Sequence, residues 1–347
     1  MKRFIRCASA LLCLCLSLFS VASSATTEFP NKPVRLIIPY PPGGGTDILA
    51  RLVASKVSET MKWNIVTENR PGAGGSIGLE AAARSTPDGY TLCLAETSNL
   101  AINPALYPNL GYDPEKDFSP IMFIGSLPLV LVVSADSPYH SVASLVAAAK
   151  KNPLTMASSG NGTVGHLAGE MFKIQAGIPI LHAPYKGAAP AINDIIGGRV
   201  TMFFGSLPSL RTQIVAGKLK ALAVTSSARA TMLPEVPTFK ESGYPEFEPT
   251  VWYGLLAPKG VPQALITQLH MTFLNVLGTK EMRERLAQDG VQFNAISAEE
   301  LASGSSPREA SGARLFGRWE QKSTNAILFV VADYQSVQRA RSLKGGQ

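Results

Sequence analysis

The feature that most constrains the fold is a repeated order of short apolar strand, glycine-rich loop and helix. Residues 34–39 form an apolar run with β-branched side chains, and two prolines and three glycines follow at 41–45. Apolar residues then recur at helical spacing from Ile48 to Met61, and the same order returns at residues 65–83 and 155–176. This alternation predicts an α/β fold with a mostly parallel sheet.

Two apolar stretches interrupt the alternation and predict two crossings between separate lobes. Residues 121–133 are almost continuously apolar, and residues 252–257 form a strand-like run after a proline-punctuated stretch. A chain of 347 residues also exceeds one ordinary domain of roughly 100–200 residues. We predict a lobe of residues 26–127 plus 251–301 and a second lobe of residues 128–250, with a ligand cleft between them.

The first residues predict an exported protein. Lys2, Arg3 and Arg6 precede an apolar run at residues 8–22, and small residues follow at 23–25. That run is shorter than the roughly 18 residues that a helix needs to cross a bilayer. We therefore interpret residues 1–25 as a cleaved signal peptide and predict a periplasmic location.

Charge and histidine spacing argue against nucleic-acid and metal sites. The net charge of +7 lies at the two ends, and residues 26–301 carry no net charge. A basic nucleic-acid footprint is therefore absent from the body of the chain. The histidines are scattered, without ligand spacing on one helix or a carboxylate cluster. We predict no metal, no cofactor and no nucleic-acid partner.

The first candidate ligand loop lies between the first strand and the first helix. Glycines allow backbone N–H groups to turn toward a ligand, and the start of a helix adds a partial positive charge of about half an elementary charge. A tight turn with an ordinary N-cap would use the same residues, so this loop alone leaves both interpretations open. Its candidate residues are Tyr40, Gly43, Gly44, Gly45, Thr46 and Asp47.

A second loop of the same kind lies in the second lobe, again between a strand and a helix. It offers three hydroxyls and two glycines, and the two loops would face each other across the cleft and each take one carboxylate of a diacid. Neutral donors hold an anion without a deeply buried ion pair. Its candidate residues are Ser158, Ser159, Gly160, Gly162, Thr163 and His166.

Five further residues complete the predicted ligand-binding set. Tyr185, Lys186 and Gly187 precede another helix, and Lys186 is the obvious cation near a cleft loop. A solvated surface lysine is an equal alternative for that residue. The set also includes Ser98 and Ser206.

A serine hydrolase is the rival enzyme class, with Ser159 as nucleophile, His166 as base and an acid such as Glu170. The chain contains no Gly-x-Ser-x-Gly elbow around Ser159. His166 fits a cleft-lining or capping role equally well. We therefore predict no catalytic residue and no enzymatic activity.

Several motifs together resemble one known family, the substrate-binding receptors of tripartite tricarboxylate transporters, also called Bug or TctC-like periplasmic proteins. The resemblance covers about residues 30–300 and keeps the motifs in one order. The motifs are Arg35-Leu36-Ile37-Ile38-Pro39-Tyr40-Pro41-Pro42-Gly43-Gly44-Gly45-Thr46-Asp47, Glu68-Asn69-Arg70-Pro71-Gly72-Ala73-Gly74-Gly75-Ser76, Pro87-Asp88-Gly89-Tyr90, Ala157-Ser158-Ser159-Gly160-Asn161-Gly162-Thr163, Pro184-Tyr185-Lys186-Gly187 and Trp252-Tyr253-Gly254.

The resemblance implies a periplasmic-binding-protein fold of type II, closure of two lobes on a small carboxylate, and delivery to a membrane permease. The carboxylate would be a dicarboxylate, an acidic amino acid or an aromatic acid, and the receptor a monomer. Presentation of the liganded protein to a membrane sensor kinase is the alternative partner. Residues 302–347 depart from the family pattern, because they are rich in Gly, Ser and Arg. A shifted reading frame is our hypothesis for that tail.

Overall fold

The computed structural model describes residues 29–293. The signal-peptide prediction for residues 1–25 and the predicted atypical tail at 302–347 both lie outside that range.

The first part of the chain alternates strands and helices as predicted. Strand β1 is followed by helix α1, whose buried face carries Leu49, Val53 and Val57 at helical spacing. Strand β2 leads through a short 3-10 turn into α2, and β3 is buried along its whole length. The elements are β1 (Val34–Ile38), α1 (Gly45–Met61), β2 (Ile65–Asn69), α2 (Ser76–Ala83) and β3 (Thr91–Glu96).

The middle of the chain begins with two short elements that the sequence did not predict and then repeats the alternation. A π-helical turn at Ser98–Ile102 runs into a short helix α3, and a 17-residue strand β4 follows. The elements are α3 (Asn103–Leu106), β4 (Phe118–Ser134), α4 (Val142–Ala149), β5 (Leu154–Ser158), α5 (Val164–Ala176), β6 (Ile180–Pro184), α6 (Ala188–Ile196), β7 (Met202–Ser206), α7 (Leu207–Val215) and β8 (Leu219–Val224).

The last described part returns to the first half of the sheet. It consists of β9 (Thr250–Pro258), α8 (Gln263–Leu277), α9 (Lys280–Gln288) and β10 (Gln292–Phe293). No helix in the described part of the chain is both long and apolar enough to cross a membrane.

The strands form one curled sheet in the order β2-β1-β3-β9-β4-β7-β5-β6, with β8 and β10 also paired to β4. Within each half the pairs are parallel, as the β1–β2 and β5–β6 ladders show. The pairs that involve β4 and β9 are antiparallel, so the prediction of a mostly parallel sheet is wrong where the chain crosses. The reason is that β4 and β9, the strands that cross between the lobes, run in the opposite direction to the strands they pair with.

Strand β4 belongs to both halves of the sheet. Residues up to Pro128 pair with β9, whereas residues from Leu129 onward pair with β7 and β8. We call the half with β1, β2 and β3 lobe 1 and the half with β5, β6, β7 and β8 lobe 2. The exact boundary residues that the sequence suggested stay a prediction.

Each lobe has an apolar core beside the sheet. In lobe 1, Ile37, Leu79 and Leu256 are buried between the sheet and α2. Lobe 2 contains an aromatic cluster of Phe172, Phe204, Phe239, Tyr244 and Phe247, in which neighbouring ring centroids lie 4.3 to 6.2 Å apart. These two cores hold the loops at the ends of the strands in place.

Candidate functional site

A cavity of about 70 Å³ lies where the carboxyl ends of the strands of both lobes meet. Parallel strands place such loops at one edge of a sheet, which is where ligands bind in open α/β folds. Residues of both lobes line it: Tyr40, Pro41, Gly44, Gly45, Thr46, Glu96, Leu129, Ser159, Thr163, Val164, Gly165, Gly187, Ala188, Phe203, Phe204, Gly205, Ser206, Ser209, Val251 and Tyr253.

The starts of four helices converge on this cavity. Residues in the first turns of α1, α5, α6 and α7 are among those that line it. The N-caps of α1, α6 and α7, which are Gly44, Gly187 and Ser206, make no side-chain capping bond. Their first-turn N–H groups therefore keep donor capacity, and each helix adds about half a positive charge. The arrangement is suited to binding an anion.

The first predicted loop divides into ligand-facing and supporting residues. Tyr40, Gly44, Gly45 and Thr46 line the cavity. Gly43 is exposed with a φ of 82°, a conformation that favours glycine, and it does not line the cavity.

Asp47 also does not line the cavity. Its carboxylate instead stabilises the loop before α1 through hydrogen bonds on the side away from the cavity. It accepts hydrogen bonds from Gly43 N at 3.0 Å, Arg51 Nε at 2.9 Å and Asn69 Nδ2 at 2.8 Å. Burial alone would raise the pKa of Asp47, but these hydrogen bonds keep it below its usual value. An ionised carboxylate is thereby kept away from the anion site.

The second predicted loop divides in the same way. Ser159 and Thr163 line the cavity. Thr163 also caps α5, because its Oγ1 accepts from His166 N at 3.3 Å. Gly160 and Gly162 do not line the cavity, and their φ values of 139° and 78° allow the sharp turn.

Ser158 and His166 lie inside lobe 2 rather than on the cavity wall. The Ser158 Oγ is 2.6 Å from His182 Nε2, and the His166 ring stacks on the His182 ring with centroids 4.0 Å apart. Burial is the main reason that the pKa of His166 falls to about 3 and that of His182 to about 4. Both rings are neutral at pH 7.

The remaining predicted residues also fall into two groups, those that line the cavity and those that do not. Gly187 and Ser206 line the cavity, whereas Tyr185 donates to Asp194 Oδ2 at 2.6 Å and Lys186 is exposed. Lys186 is thus a surface lysine. No lysine or arginine side chain lines the cavity in the part of the chain that the structure describes.

Ser98 forms a contact between the lobes instead of a wall of the cavity. Its Oγ accepts from Val164 N, the first residue of α5, at 3.2 Å. Because Ser98 follows β3 in lobe 1 and α5 belongs to lobe 2, this bond crosses the cleft. Two other close approaches do the same: a Cβ at Gly45 would overlap Ser206 Oγ, and one at Gly187 would come within 2.9 Å of Pro41. The lobes are in contact across the cleft.

Sequence reasoning missed a polar cluster at the base of the cavity. Glu96 is only 6% exposed, and the hydroxyls of Tyr40 and Ser98 lie within hydrogen-bonding reach of its carboxyl. Burial raises the pKa of Glu96, and these hydroxyls oppose the rise only in part. Tyr253 of β9 is fully buried beside it, and burial also raises the pKa of its hydroxyl. The position of Glu96 at the carboxyl end of a strand was the signal available in the sequence.

The hydrolase arrangement is not assembled. Ser159 faces the cavity, but the Nδ1 of His166 accepts from Gly162 N at 3.2 Å inside lobe 2. Ser158, which lies beside His182, is fully buried. Among the described residues no group of three or more His, Cys, Asp and Glu side chains could hold a metal ion.

The model of the tripartite tricarboxylate transporter family receptor matches residues 49–306. The chain belongs to this receptor family. BugT of Bordetella pertussis (strain Tohama I) is 38% identical over 272 residues, which cover 78% of this chain and 83% of BugT. The family consists of periplasmic solute-binding receptors and not of enzymes, so the prediction of a non-enzymatic binding protein is confirmed.

Solved structures of family members show the same fold. The periplasmic binding protein BugD has a TM-score of 0.76 at 34% identity, covering 86% of this chain and 96% of BugD. Rpa4515 of R. palustris with adipate has a TM-score of 0.77 at 34% identity and coverages of 86% and 98%. MatC of Rhodopseudomonas palustris with bound malate has a TM-score of 0.75 at 27% identity and coverages of 87% and 100%. The predicted two-lobed type II fold is confirmed.

Proposed function

We propose that this chain binds a small carboxylate between its two lobes and delivers it to the membrane permease of a tripartite tricarboxylate transporter. The observation that carries the proposal is the convergence of four helix starts on one cavity that no lysine or arginine lines in the described part of the chain. Such a site binds an anion through neutral donors and helix dipoles. Solved relatives with adipate and with malate support a carboxylate ligand.

The ligand-contacting groups we propose are backbone N–H groups at the starts of α1, α5 and α6 and the hydroxyls of Ser159 and Ser206. Contacts from both lobes matter, because a ligand that touches both lobes stabilises the closed state by its differential affinity. Tyr40 and Tyr253 would form the base. The other predicted residues, among them Asp47, Ser158 and His166, would hold the loops in position.

A thermal-unfolding panel tests this function. It would contain dicarboxylates, acidic amino acids and aromatic acids, with matched uncharged amides as controls. A ligand at about a hundredfold excess over its Kd should stabilise the folded protein by about 2.7 kcal/mol. A shift with at least one carboxylate and none with its amide supports the proposal, and the absence of a shift with every carboxylate contradicts it.

Localisation and partners complete the proposal. Residues 1–25 would direct export and be removed, and the mature protein would act as a periplasmic monomer. Capture of purified, liganded receptor on membranes that contain the permease tests the partner. Binding to a membrane sensor kinase and not to the permease would favour the signalling alternative.

A further inference from the structure

Glu96 is the one acidic side chain that lines the cavity among the described residues. It lies at the end of β3, is 6% exposed, and forms no ion pair with a lysine, arginine or histidine within residues 29–293. A buried carboxylate without a cation is costly, and it is more costly still beside a bound anion. The proposed function therefore leaves this group unexplained.

The hydroxyls around Glu96 supply few donors to an ionised carboxylate. Tyr40 has one hydroxyl proton, and its Oη donates to Gly74 O at 3.1 Å while it accepts from Asn99 Nδ2 at 2.8 Å. Ser98 Oγ accepts from Val164 N at 3.2 Å, so its own proton is available to Glu96. Gly74 O and Glu96 compete for the one proton of Tyr40, so this hydroxyl and that of Ser98 cannot replace the several hydrogen bonds that water gives an ionised carboxylate.

The titratable groups that face Glu96 do not compensate a negative charge. They are Tyr40, from the loop after β1, and Tyr253, from β9, and the pKa of both is raised, first by burial and second by the charge of Glu96. Cys93 of the same strand is buried, and burial raises the pKa of its thiol as well. All three are neutral at pH 7, so the surroundings of Glu96 favour its neutral acid.

We propose that Glu96 is a ligand-binding residue that donates a hydrogen bond from its protonated carboxyl to the carboxylate of the bound ligand. This inference rests on the proposed function. The acid would be one more neutral donor beside the N–H groups of α1, α5 and α6. Binding of a dianion would then be linked to a proton on Glu96, because two carboxylates that share a dry site cannot both be ionised.

Proton linkage gives a measurable signature in titration calorimetry. The probes are succinate, malate, aspartate and adipate, which include a four-carbon set that differs only in a hydrogen, a hydroxyl or an ammonium group. Across a pH series, the Kd of a dianion should rise about tenfold per pH unit once the pH exceeds the pKa of Glu96 in the free protein. Titrations in two buffers of different ionisation enthalpy should show uptake of about one proton per ligand in that range.

Glu96→Gln removes the titration and keeps an N–H donor. In this variant the pH slope and the proton uptake should disappear. Glu246→Gln is the matched control, because Glu246 is exposed and does not line the cavity. It should keep the slope of the parent protein.

Difference infrared spectroscopy decides the protonation state directly, including the case in which the parent Kd is flat with pH. The infrared spectrum of the liganded parent protein, minus that of liganded Glu96→Gln, should show the carbonyl stretch of a protonated carboxyl at pH 7. A carboxylate band alone, or the same non-zero pH slope in both proteins, overturns the inference.

Two outcomes separate this inference from the proposed function. If aspartate binds more tightly than succinate and malate, and Glu96→Gln weakens it more than about tenfold, Glu96 is an ionised partner of an ammonium group. That result overturns the inference and leaves the carboxylate receptor intact. If none of these probes and no carboxylate of the thermal panel binds, the proposed function itself is contradicted.

Discussion

Asp47 lies in the first turn of α1 and Glu96 at the end of β3, and the surroundings of these two carboxyls favour opposite protonation states. Asp47 accepts three hydrogen bonds, one of them from the Arg51 guanidinium, so its pKa is lowered. Glu96 has no such partner, and burial raises its pKa. The charged carboxylate therefore supports the loop, while the carboxyl that tends to be neutral lines the cavity, which is the arrangement an anion site needs.

The stacked pair of His166 and His182 predicts acid sensitivity. Their pKa values of about 3 and about 4 lie below the unfolded value of about 6.5, so the unfolded chain binds more protons between those values. Stability is therefore complete above about pH 6.5 and falls as the pH drops toward 4. The slope should reach about 1.4 kcal/mol per pH unit for the buried His166, and less for His182, which solvent screens.

Denaturant unfolding at about pH 7.5 and 5 measures this loss, and His182→Gln should reduce it. His140→Gln is the control for a histidine substitution as such, because His140 is exposed and lies outside the stacked pair. An equal loss in the parent and in His182→Gln would contradict this account.

At the scale of elements, Thr225 ties the two crossing segments together. Its Oγ1 donates to Pro249 O at 2.7 Å, just before β9, and accepts from Leu129 N at 2.8 Å, where β4 changes partners. Thr225 is fully buried, so a lost hydroxyl leaves both backbone groups unsatisfied. Each such group costs about 1–3 kcal/mol.

Thr225→Val should therefore lower the free energy of unfolding by about 2–6 kcal/mol, whereas Thr225→Ser keeps the hydroxyl and should lose less than about 1.5 kcal/mol. Chemical denaturation of both variants checks this difference. A larger loss in Thr225→Ser than in Thr225→Val would show that the methyl packing and not the hydroxyl matters at this position.

The sequence predicted the regular strand–loop–helix units well because their signals are local. Glycines after β1 and β5, and apolar spacing in α1 and α5, need no knowledge of distant residues. Strand β4 was harder, since Gly125 and Pro128 usually break strands. In the structure Gly125 has a φ of 154° beside β10, and Pro128 lies where β4 leaves β9. Gly125 lies at a register shift in the pairing with β9 and Pro128 marks a change of partner, so neither residue ends the strand.

The candidate site was predicted in part for the same reason. Loop residues such as Gly45 and Thr163 can be recognised in the sequence, because their residue types are typical of turns and helix starts. Both line the cavity. Glu96 and Tyr253 instead lie in buried strands and look like core positions in the sequence. Only the pairing of β3 with β9, in the register Glu96 to Tyr253, places them side by side at the cavity. That information is non-local.

At the scale of the whole molecule, a substitution at Gly45 should impair closure of the lobes on a ligand while leaving the folding stability almost unchanged. An alanine there favours helix α1 by about 0.5–1 kcal/mol, but its Cβ would overlap Ser206 Oγ of the other lobe. Gly45→Ala should thus keep its stability within about 1 kcal/mol of the parent and weaken ligand binding at least about tenfold.

Unfolding and ligand titration of Gly45→Ala measure the two effects separately. Ser55→Ala is the control on the same helix, because Ser55 is exposed and outside the cavity. Parent-like affinity in Gly45→Ala would show that the ligand is not held between closely apposed lobes.

The most direct test of the account is a crystal structure of the protein with the carboxylate that gives the largest thermal shift. The account predicts one ligand in the cavity, with carboxylate oxygens within about 3.2 Å of backbone N–H groups at the starts of helices from both lobes. A ligand bound by one lobe only, or seated in the surface groove beside Lys56 and Glu281, would contradict it.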